Sequence, residues 1–430
     1  MSGVPGSPQV RELANGLTLI RLDLAHLQSV SLSVQVRGGG LYETKDNFGI
    51  SHLLEHLHLA VSRSHPARMV LAGAIDDLGG DVNGHVLLDR IVFDATIPAD
   101  RFSAAAMLLA EMLEPHVFGE EVFHSELRLI ENELANASHD HHDLLRRRLF
   151  PRHPLSHPTV GNRRSLRRLN PVSAAAFDAR VFQPRHMVVA IAGRIQDDQY
   201  ARVEQSFGSL PDGSTGAFLI PPLQPYDGPH VFPGPRFRSA HGAEFGFVIT
   251  GPLTPMEMVS FTILLWLSHT SSVPLWHRTR YGRNATYYFG GMLEDLANVL
   301  LVGFQIQTHR RRVLPVLRIV MEELTSLRRL KESPDWWDRI KRQYTFRTES
   351  SFDSAALMAY GLADNQIRKR YGKGLDEEVE LETVRNISVA DFSAVLQKYL
   401  TRENLYYMIG AGLGSHHAVR KLVDEFFPSR

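Results

Sequence analysis

At 430 residues and 43% hydrophobic content, the chain is long enough to bury more than one core and reads as two domains rather than one. Lysine plus arginine and aspartate plus glutamate each number 47, so no net field argues for a nucleic-acid partner or an anionic membrane surface. Cysteine is absent, which excludes disulfides and thiolate ligands, fits a reducing compartment and leaves histidine and carboxylate as the strong metal-ligating side chains.

The opening residues, MSGVPGSPQVREL, carry no basic stretch leading into an apolar core, so no signal peptide is expected there. No run approaches the roughly 18 apolar residues of a membrane span. A cytoplasmic protein is the expectation. Asn15-Gly16 is a turn signal ahead of a short strand over 17–22. Val30, Leu32, Val34 and Val36 alternate with polar residues and predict a second strand, which Gly38, Gly39 and Gly40 close. No Lys-Ser/Thr pair follows these glycines, so they read as a turn and not as a phosphate cradle.

The stretch 48–61, FGISHLLEHLHLAV, reads as a helix with Asp46 or Asn47 placed to cap it. His52 and His56 are four apart, so they stack on one helical face and can share a metal ion. Glu55 projects to nearly the same side, within reach of a metal-bound water. Two imidazoles and a carboxylate base are what zinc-assisted hydrolysis needs, and H-x-x-E-H is the inverted form of H-E-x-x-H. With 21 histidines in the chain, the motif alone does not decide the matter.

A helix over 69–78 ends at Gly79-Gly80, and Ile91, Phe93 and Ala95 set a period-two strand beyond DVNGHV. Helices over 101–113 and 120–137 follow. The second carries Glu126 and Glu133, seven apart and two turns along one face. A catalytic zinc usually takes three protein ligands and leaves the fourth position to water, so a third ligand is needed and a carboxylate here could supply it. A solvated helix face is the plain alternative for both glutamates. SHDHH at 138–142 reads as a solvated helix end rather than a second metal tract. LLRRRLF and NRRSLRR read as solvated helix faces, with no aromatic residues interleaved for base stacking.

Residues 211–238 are rich in proline and glycine and read as a linker between a domain over 1–210 and another over 239–430. A weak repeat supports the division. Ser173 and Phe177 precede the apolar run MVVAI and Gly193; Ser388 and Phe392, 215 residues further on, precede LYYMI and Gly410. The second half reads as strands over 245–250 and 299–306 and helices over 256–268 and 314–331, with Trp336 and Trp337 as core or interface anchors. The fold class is α+β, built from two similar domains.

These residues resemble the inverted-motif zinc peptidases that include pitrilysin, insulin-degrading enzyme and the mitochondrial processing peptidase. That family carries H-x-x-E-H, then 76 residues, then a Glu followed by an apolar residue, with another Glu seven earlier. His52, Glu55, His56, Glu126 and Glu133-Leu134 fall on this pattern, with 76 residues between His56 and Glu133. The resemblance implies that His52, His56 and Glu133 hold one Zn2+ per chain, that Glu55 is the catalytic base and that Glu126 orients a ligand. It implies a half-clamshell in which each domain is an antiparallel sheet with helices on one face, the second domain lacking a zinc site.

In the family, a Gly-Gly-x-x-Asn-Ala-x-Thr stretch forms an edge strand that pairs with the substrate backbone. Here Asn83 matches, while Gly84 and Val86 replace the usual Ala and Thr. Capture of an extended peptide on an open edge is β-augmentation; an ordinary hairpin is the other reading. Family members also carry an Arg, with Gly four and Tyr seven residues on, that help hold the scissile carbonyl. Arg278 and Gly282 keep the glycine register but bring Ala285 to the tyrosine position. Arg280 with Tyr287 restores the tyrosine and loses the glycine, and Tyr288 is adjacent. Either the pair has slipped or a partner chain supplies it.

The resemblance further implies a zinc endopeptidase that cleaves short or unfolded peptides with a zinc-bound water activated by Glu55. The working unit is then a dimeric clamshell, a heterodimer with a related subunit or a homodimer. Three alternatives stay open: a zinc-carrying subunit inactive until a partner supplies Arg and Tyr, a non-catalytic assembly subunit, and zinc hydrolysis of a non-peptide amide.

Overall fold

The alternation at Val30, Leu32, Val34 and Val36 lies at the heart of a six-stranded sheet in the computed structural model, which describes residues 6–61, 70–114, 118–136, 141–213, 220–234, 241–271, 273–280, 286–410 and 416–428. Strands β1 (Gln9–Glu12), β2 (Thr18–Asp23), β3 (Ser29–Arg37), β4 (Asp81–Val86), β5 (Arg90–Pro98) and β6 (Met187–Gly193) take the order β1-β2-β6-β3-β5-β4. All neighbours run antiparallel except β2 and β6. Val34 stands opposite Phe93, and both are buried on the apolar face against which helices Ile50–Ala60 and Phe102–Met112 pack. Each such side chain contributes about 1.5–3 kcal/mol of burial.

The other face of β3 is polar yet equally buried, through Ser31, Ser33 and Gln35. Helix Ala355–Lys369 covers it. Gln35 Nε2 donates to the Tyr360 carbonyl (3.3 Å), and Arg90, 3% exposed, donates to Asp89 (3.0 Å), Gln35 (3.2 Å) and Asp364 (2.5 Å). A buried guanidinium so paired is stable where it sits, and loss of one carboxylate leaves a charge that costs about 3–5 kcal/mol. The first unit accordingly comprises Met1–Pro221 and Ser350–Arg370, and the second Pro222–Glu349 and Tyr371–Arg430. Sequence patterning keeps 239–430 together; the helix Ala355–Lys369 instead belongs with the first sheet, joined by polar contacts that no hydrophobic period reports.

In the second unit β7 (His230–Gly234), β8 (His241–Thr250), β9 (Tyr288–Leu296), β10 (Val299–Thr308) and β11 (Leu405–Gly410) take the order β7-β11-β8-β10-β9. The single parallel pair is β7 with β11. Strand for strand this repeats β2-β6-β3-β5-β4, so the two units share one topology. In each, a late helix leads into a strand inserted at the same place: Pro171–Val181 into β6, Val389–Tyr399 into β11. Both helices start with a capping box, Asn170 with Ser173 and Ser388 with Asp391. The structural equivalent of Ser388 is therefore Asn170, one helical turn from the Ser173 that sequence matching pairs with it. Trp337 is buried in the second core against Phe392, at a ring separation of 5.1 Å, with Trp336 at the margin. Among the described residues, no helix is long and apolar enough to cross a membrane.

Candidate metal centre

Helix Ile50–Ala60 turns Ile50, Leu53, Leu54, Leu57 and Ala60 into the core, each at most 5% exposed. Its start differs from the sequence expectation. Asn47 Oδ1 accepts from the Thr44 amide (2.6 Å) and Asp46 pairs with Arg168 (2.9 Å), so neither caps the helix. Gly49 is the N-cap, in the left-handed conformation (φ 90°) that favours glycine. The Glu43 carboxylate reaches in and accepts from the amides of Gly49 (2.8 Å) and Ser51 (2.9 Å). A negative charge at a helix N-terminus complements the helix dipole. Capping rules examine the residue next to the helix, so a carboxylate six positions before Gly49 escapes them.

His58 anchors the helix from its other side. Its Nδ1 lies 2.7 Å from the Met112 carbonyl, its Nε2 lies 2.7 Å from Asp178 Oδ1, and its ring stacks on Phe182 at 3.9 Å. This histidine is structural, fully buried and two positions beyond the motif.

Burial pushes Glu43 up to about 7 from 4.5, against the pull of its two backbone donors. A carboxyl raised on folding contributes stability that is full below pH 4.5 and lost as pH rises through about 7. Between pH 4.5 and 7.5 Glu43 is therefore expected to take something on the order of 3 kcal/mol from the stability of the metal-free protein, a fall that runs against the rise contributed by His52 and is read in the urea midpoint against that of a Glu43 variant. Glu43→Gln should remove that fall, and an unaltered pH slope in the variant would count against the buried cap.

His52 and His56 meet edge to face, ring centroids 4.8 Å apart. Their Nε2 atoms face the same two carboxylates. Glu55 Oε2 lies 3.7 Å from His52 Nε2 and 3.8 Å from His56 Nε2. Glu133, on helix Glu120–Asn136, places Oε2 3.6 Å from His52 Nε2 and Oε1 3.7 Å from His56 Nε2. Ligands at 2.0–2.1 Å from a tetrahedral zinc are about 3.4 Å apart, so either carboxylate needs only a small shift to share an ion with both rings. Among the described residues, His52, Glu55 and His56 form the group whose ligand atoms lie within 4.8 Å of one another.

Behind the pair, His56 Nδ1 stands 3.3 Å from Oε2 of Glu126, which is 4% exposed. Donation of Nδ1–H to that carboxylate leaves the Nε2 lone pair for a cation. Burial holds His52 down at about 3, with His56 adding to the effect, so His52 is the neutral, metal-binding form. For His56 burial acts downward, but the bond to Glu126 and the charges of Glu55 and Glu133 carry it upward. Burial pushes Glu55 up to about 7; His56 opposes this, and Glu133 and Glu126 reinforce it. Two imidazoles, flanking carboxylates and no sulfur form a donor set that fits a zinc-type ion.

The two candidate ligands differ in setting. Glu133 has a half-exposed side chain and comes from a separate helix, whereas Glu55 is buried beneath β4. A Cβ on Gly84 would lie 2.4 Å from Glu55 Oε1 and 2.8 Å from Leu59 Cδ1, so glycine allows β4 to pass against the carboxylate. β4 is the edge of its sheet. By strand alternation Asn83 and His85 point to the face opposite Gly84, where His85 stacks on Tyr360 at 6.0 Å. Asn83 is exposed there, its side chain turned from Glu55 while its backbone lies beside the site.

Arg278, Arg280 and Tyr287 lie in the second unit. Arg278 is held by Glu322 (2.7 Å) and Glu323 on helix Val313–Leu327. Arg280 Nη1 donates to the carbonyls of Thr286 (3.2 Å) and Tyr287 (2.5 Å), fixing the chain ahead of β9, and Tyr287 is 71% exposed. Arg280 and Tyr287 are thus brought together, and Arg278 is not joined to them. Gly282 and Ala285 lie outside the described residues. So do residues 138–140 of the histidine-rich SHDHH. Of the basic run LLRRRLF, Arg146 is not solvated: it is 4% exposed and bonded to Asp143.

Residues 23–163 match the family described as Insulinase (Peptidase family M16), and residues 168–344 match the Peptidase M16 inactive domain. An uncharacterized zinc protease of Rickettsia felis is 24% identical over 215 residues, 49% of this chain and 52% of the relative. The mitochondrial-processing peptidase subunit beta of Blastocladiella emersonii is 25% identical over 50% of this chain and 47% of its own. With these two, the matched stretch spans about half the relative's length. An uncharacterized zinc protease of Mycobacterium tuberculosis is 26% identical over 97% of this chain and 96% of the relative. Among solved structures, a protease from Helicobacter pylori superposes with a TM-score of 0.83 at 15% identity, covering 95% of this chain and 100% of that one. The periplasmic protease PqqL of Escherichia coli gives 0.79 at 16% identity over 100% of this chain and 51% of PqqL. At such identities the likeness concerns the fold.

Proposed function

The chain belongs to the insulinase family of peptidases, family M16, and on that premise we propose that it is a zinc-dependent endopeptidase of short or unfolded peptides. The observation that carries this is the convergence of His52 and His56 Nε2 on two carboxylates, at 3.6–3.8 Å, beside an open sheet edge. His52, His56 and Glu133 hold one ion, and Glu126 fixes the His56 ring. Bound zinc supplies Lewis acidity toward a carbonyl and a water of lowered pKa. Glu55, with Oε2 3.7–3.8 Å from both Nε2 atoms, takes the proton of the attacking water on its carboxylate and delivers it to the leaving amine. The backbone of β4 offers its free edge to an extended peptide, which favours peptides over other amides.

The chain matches the first half of PqqL over 99% of that half, which supports a working unit of two such halves, a second copy or a related subunit. Where the second half is a related subunit, it supplies the substrate-holding guanidinium, because Arg278 is tied to Glu322 and Glu323. The deciding experiment measures zinc per chain and cleavage of a mixed unfolded-peptide library by this chain alone, with and without chelator. One zinc and chelator-sensitive cleavage is the expected result. Zinc without cleavage would transfer the activity to a complex with a partner, and absence of zinc binding would overturn the ligand assignment.

A further inference from the structure

A cavity of about 910 Å3 lies wholly within the first unit, next to the metal centre rather than in it. Phe48, just ahead of the histidine helix, and Leu134, the residue after Glu133, belong to its walls. Arg147, Arg152 and Arg163 line it as well. Among the described lining residues the single carboxylate is Asp143, which is already bonded to Arg146 and accepts from the Thr159 hydroxyl (3.4 Å). Arg147 uses Nε on the Asp143 carbonyl (3.4 Å) and keeps its Nη groups, and Arg152 and Arg163 have no ion pair among the described residues. Among the described residues the walls therefore carry more positive than negative charge, over an apolar floor.

The cationic segment is locked to the start of the histidine helix. Gly49 (φ +90°) and Gly161 (φ +78°) lie back to back: a Cβ on Gly49 would be 2.8 Å from the Val160 carbonyl and 3.0 Å from Gly161 Cα. One on Gly161 would be 2.6 Å from the Phe48 carbonyl. Both the left-handed backbone and the contact demand glycine. Phe48 also meets the His157 ring at 4.6 Å, and His157 Nδ1 donates to the Gly40 carbonyl (2.6 Å). A group seated among these arginines is thereby held at a set distance from His52.

We propose that this cavity is a specificity subsite for a carboxylate of the peptide, either an acidic side chain or the chain's own C-terminus, within a few residues of the scissile bond. The inference rests on the peptidase reading above. Guanidinium groups pair with carboxylates in two parallel hydrogen bonds, and the Phe48 and Leu134 side chains take the apolar stem that carries the carboxylate. The volume is in the range of ligand pockets.

The test uses zinc-loaded protein and a set of peptides on one neutral backbone. Asp or Glu is exchanged for Asn or Gln at each position, and the C-terminus is either acid or amide. The kcat/KM for the carboxylate is expected to exceed that for its amide by about tenfold or more at one position, and the ratio should shrink with added salt. A preference at an internal position identifies a side chain, and one at the end identifies the terminal carboxylate. Arg147→Gln combined with Arg152→Gln should bring the ratio to about one, whereas Arg167→Gln, an exposed cation outside the walls, should keep it. Equal rates for acid and amide throughout, with neutral peptides cleaved, would overturn the subsite and leave the peptidase reading standing. If the chain alone cleaves no peptide, anisotropy of the same peptides, fluorescently labelled, decides the subsite independently of the peptidase reading. Tighter binding of the acids, lost in the double variant, sustains it; equal binding ends it.

Discussion

Glu55→Gln is expected to lower peptide cleavage by about a thousandfold, the range of a lost general base, while the protein keeps its metal. Glutamine has the shape of the carboxylate and fits beneath β4, but it cannot accept the proton of the attacking water. The same substitution decides a question of ligand identity that distances leave open. Glu55 and Glu133 are both 3.6–3.8 Å from the two Nε2 atoms. With Glu133 as the ligand, Glu133→Gln releases zinc and Glu55→Gln retains it. Were Glu55 the ligand, the pattern would reverse. Setting argues for the first assignment: Glu133 is half-exposed on a separate helix and can turn its carboxylate onto a cation, whereas Glu55 is held beneath β4 beside both rings, where a proton acceptor belongs. Metal content of the two variants, measured together with their rates, separates the roles. Loss of zinc from Glu55→Gln would sink the base assignment.

The candidate metal-binding residues were legible because their chemistry is written in local spacing. An interval of four between histidines is a helical repeat, and the edge strand and second glutamate follow from periodicity and resemblance. What stayed hidden is held by contacts distant in sequence. Glu43 caps the histidine helix from a loop, and Asp178 holds His58 across 120 residues. His58 did leave a signal, since it lies four beyond Leu54 on the apolar face, where a histidine needs buried partners. The helix Ala355–Lys369 left none. Its attachment to the first sheet runs through Arg90, Gln35 and Asp364, residue types that sequence reading assigns to solvent. The repeat was visible in composition but one turn out of register, because serine serves as the third helical residue in one copy and as the cap in the other.

Gly84→Ala is expected to reduce kcat by about a hundredfold with zinc content unchanged, the scale of an ångström-sized displacement of a catalytic group. A methyl group at this position would stand 2.4 Å from Glu55 Oε1 and 2.8 Å from Leu59 Cδ1, so one of three things must move. Glu55, 5% exposed, has no solvent to retreat into and would rotate away from its place between the histidines. Leu59 could yield at the end of its side chain, which relieves the second contact and not the first. Alternatively β4 could bend off the helix, carrying its free edge away from the metal centre. The first response appears in kcat and the last in KM, because one displaces the proton acceptor and the other the surface on which the peptide lies. Leu59→Ala added to Gly84→Ala tests the remaining route: recovery of activity means that Leu59 blocks the strand, and no recovery leaves the contact with the Glu55 carboxylate as the cause, with kcat and KM telling which side of it moved. An alanine variant with both kinetic constants intact would mean that β4 and Glu55 are not coupled, and the close packing of strand on base would have no bearing on the reaction.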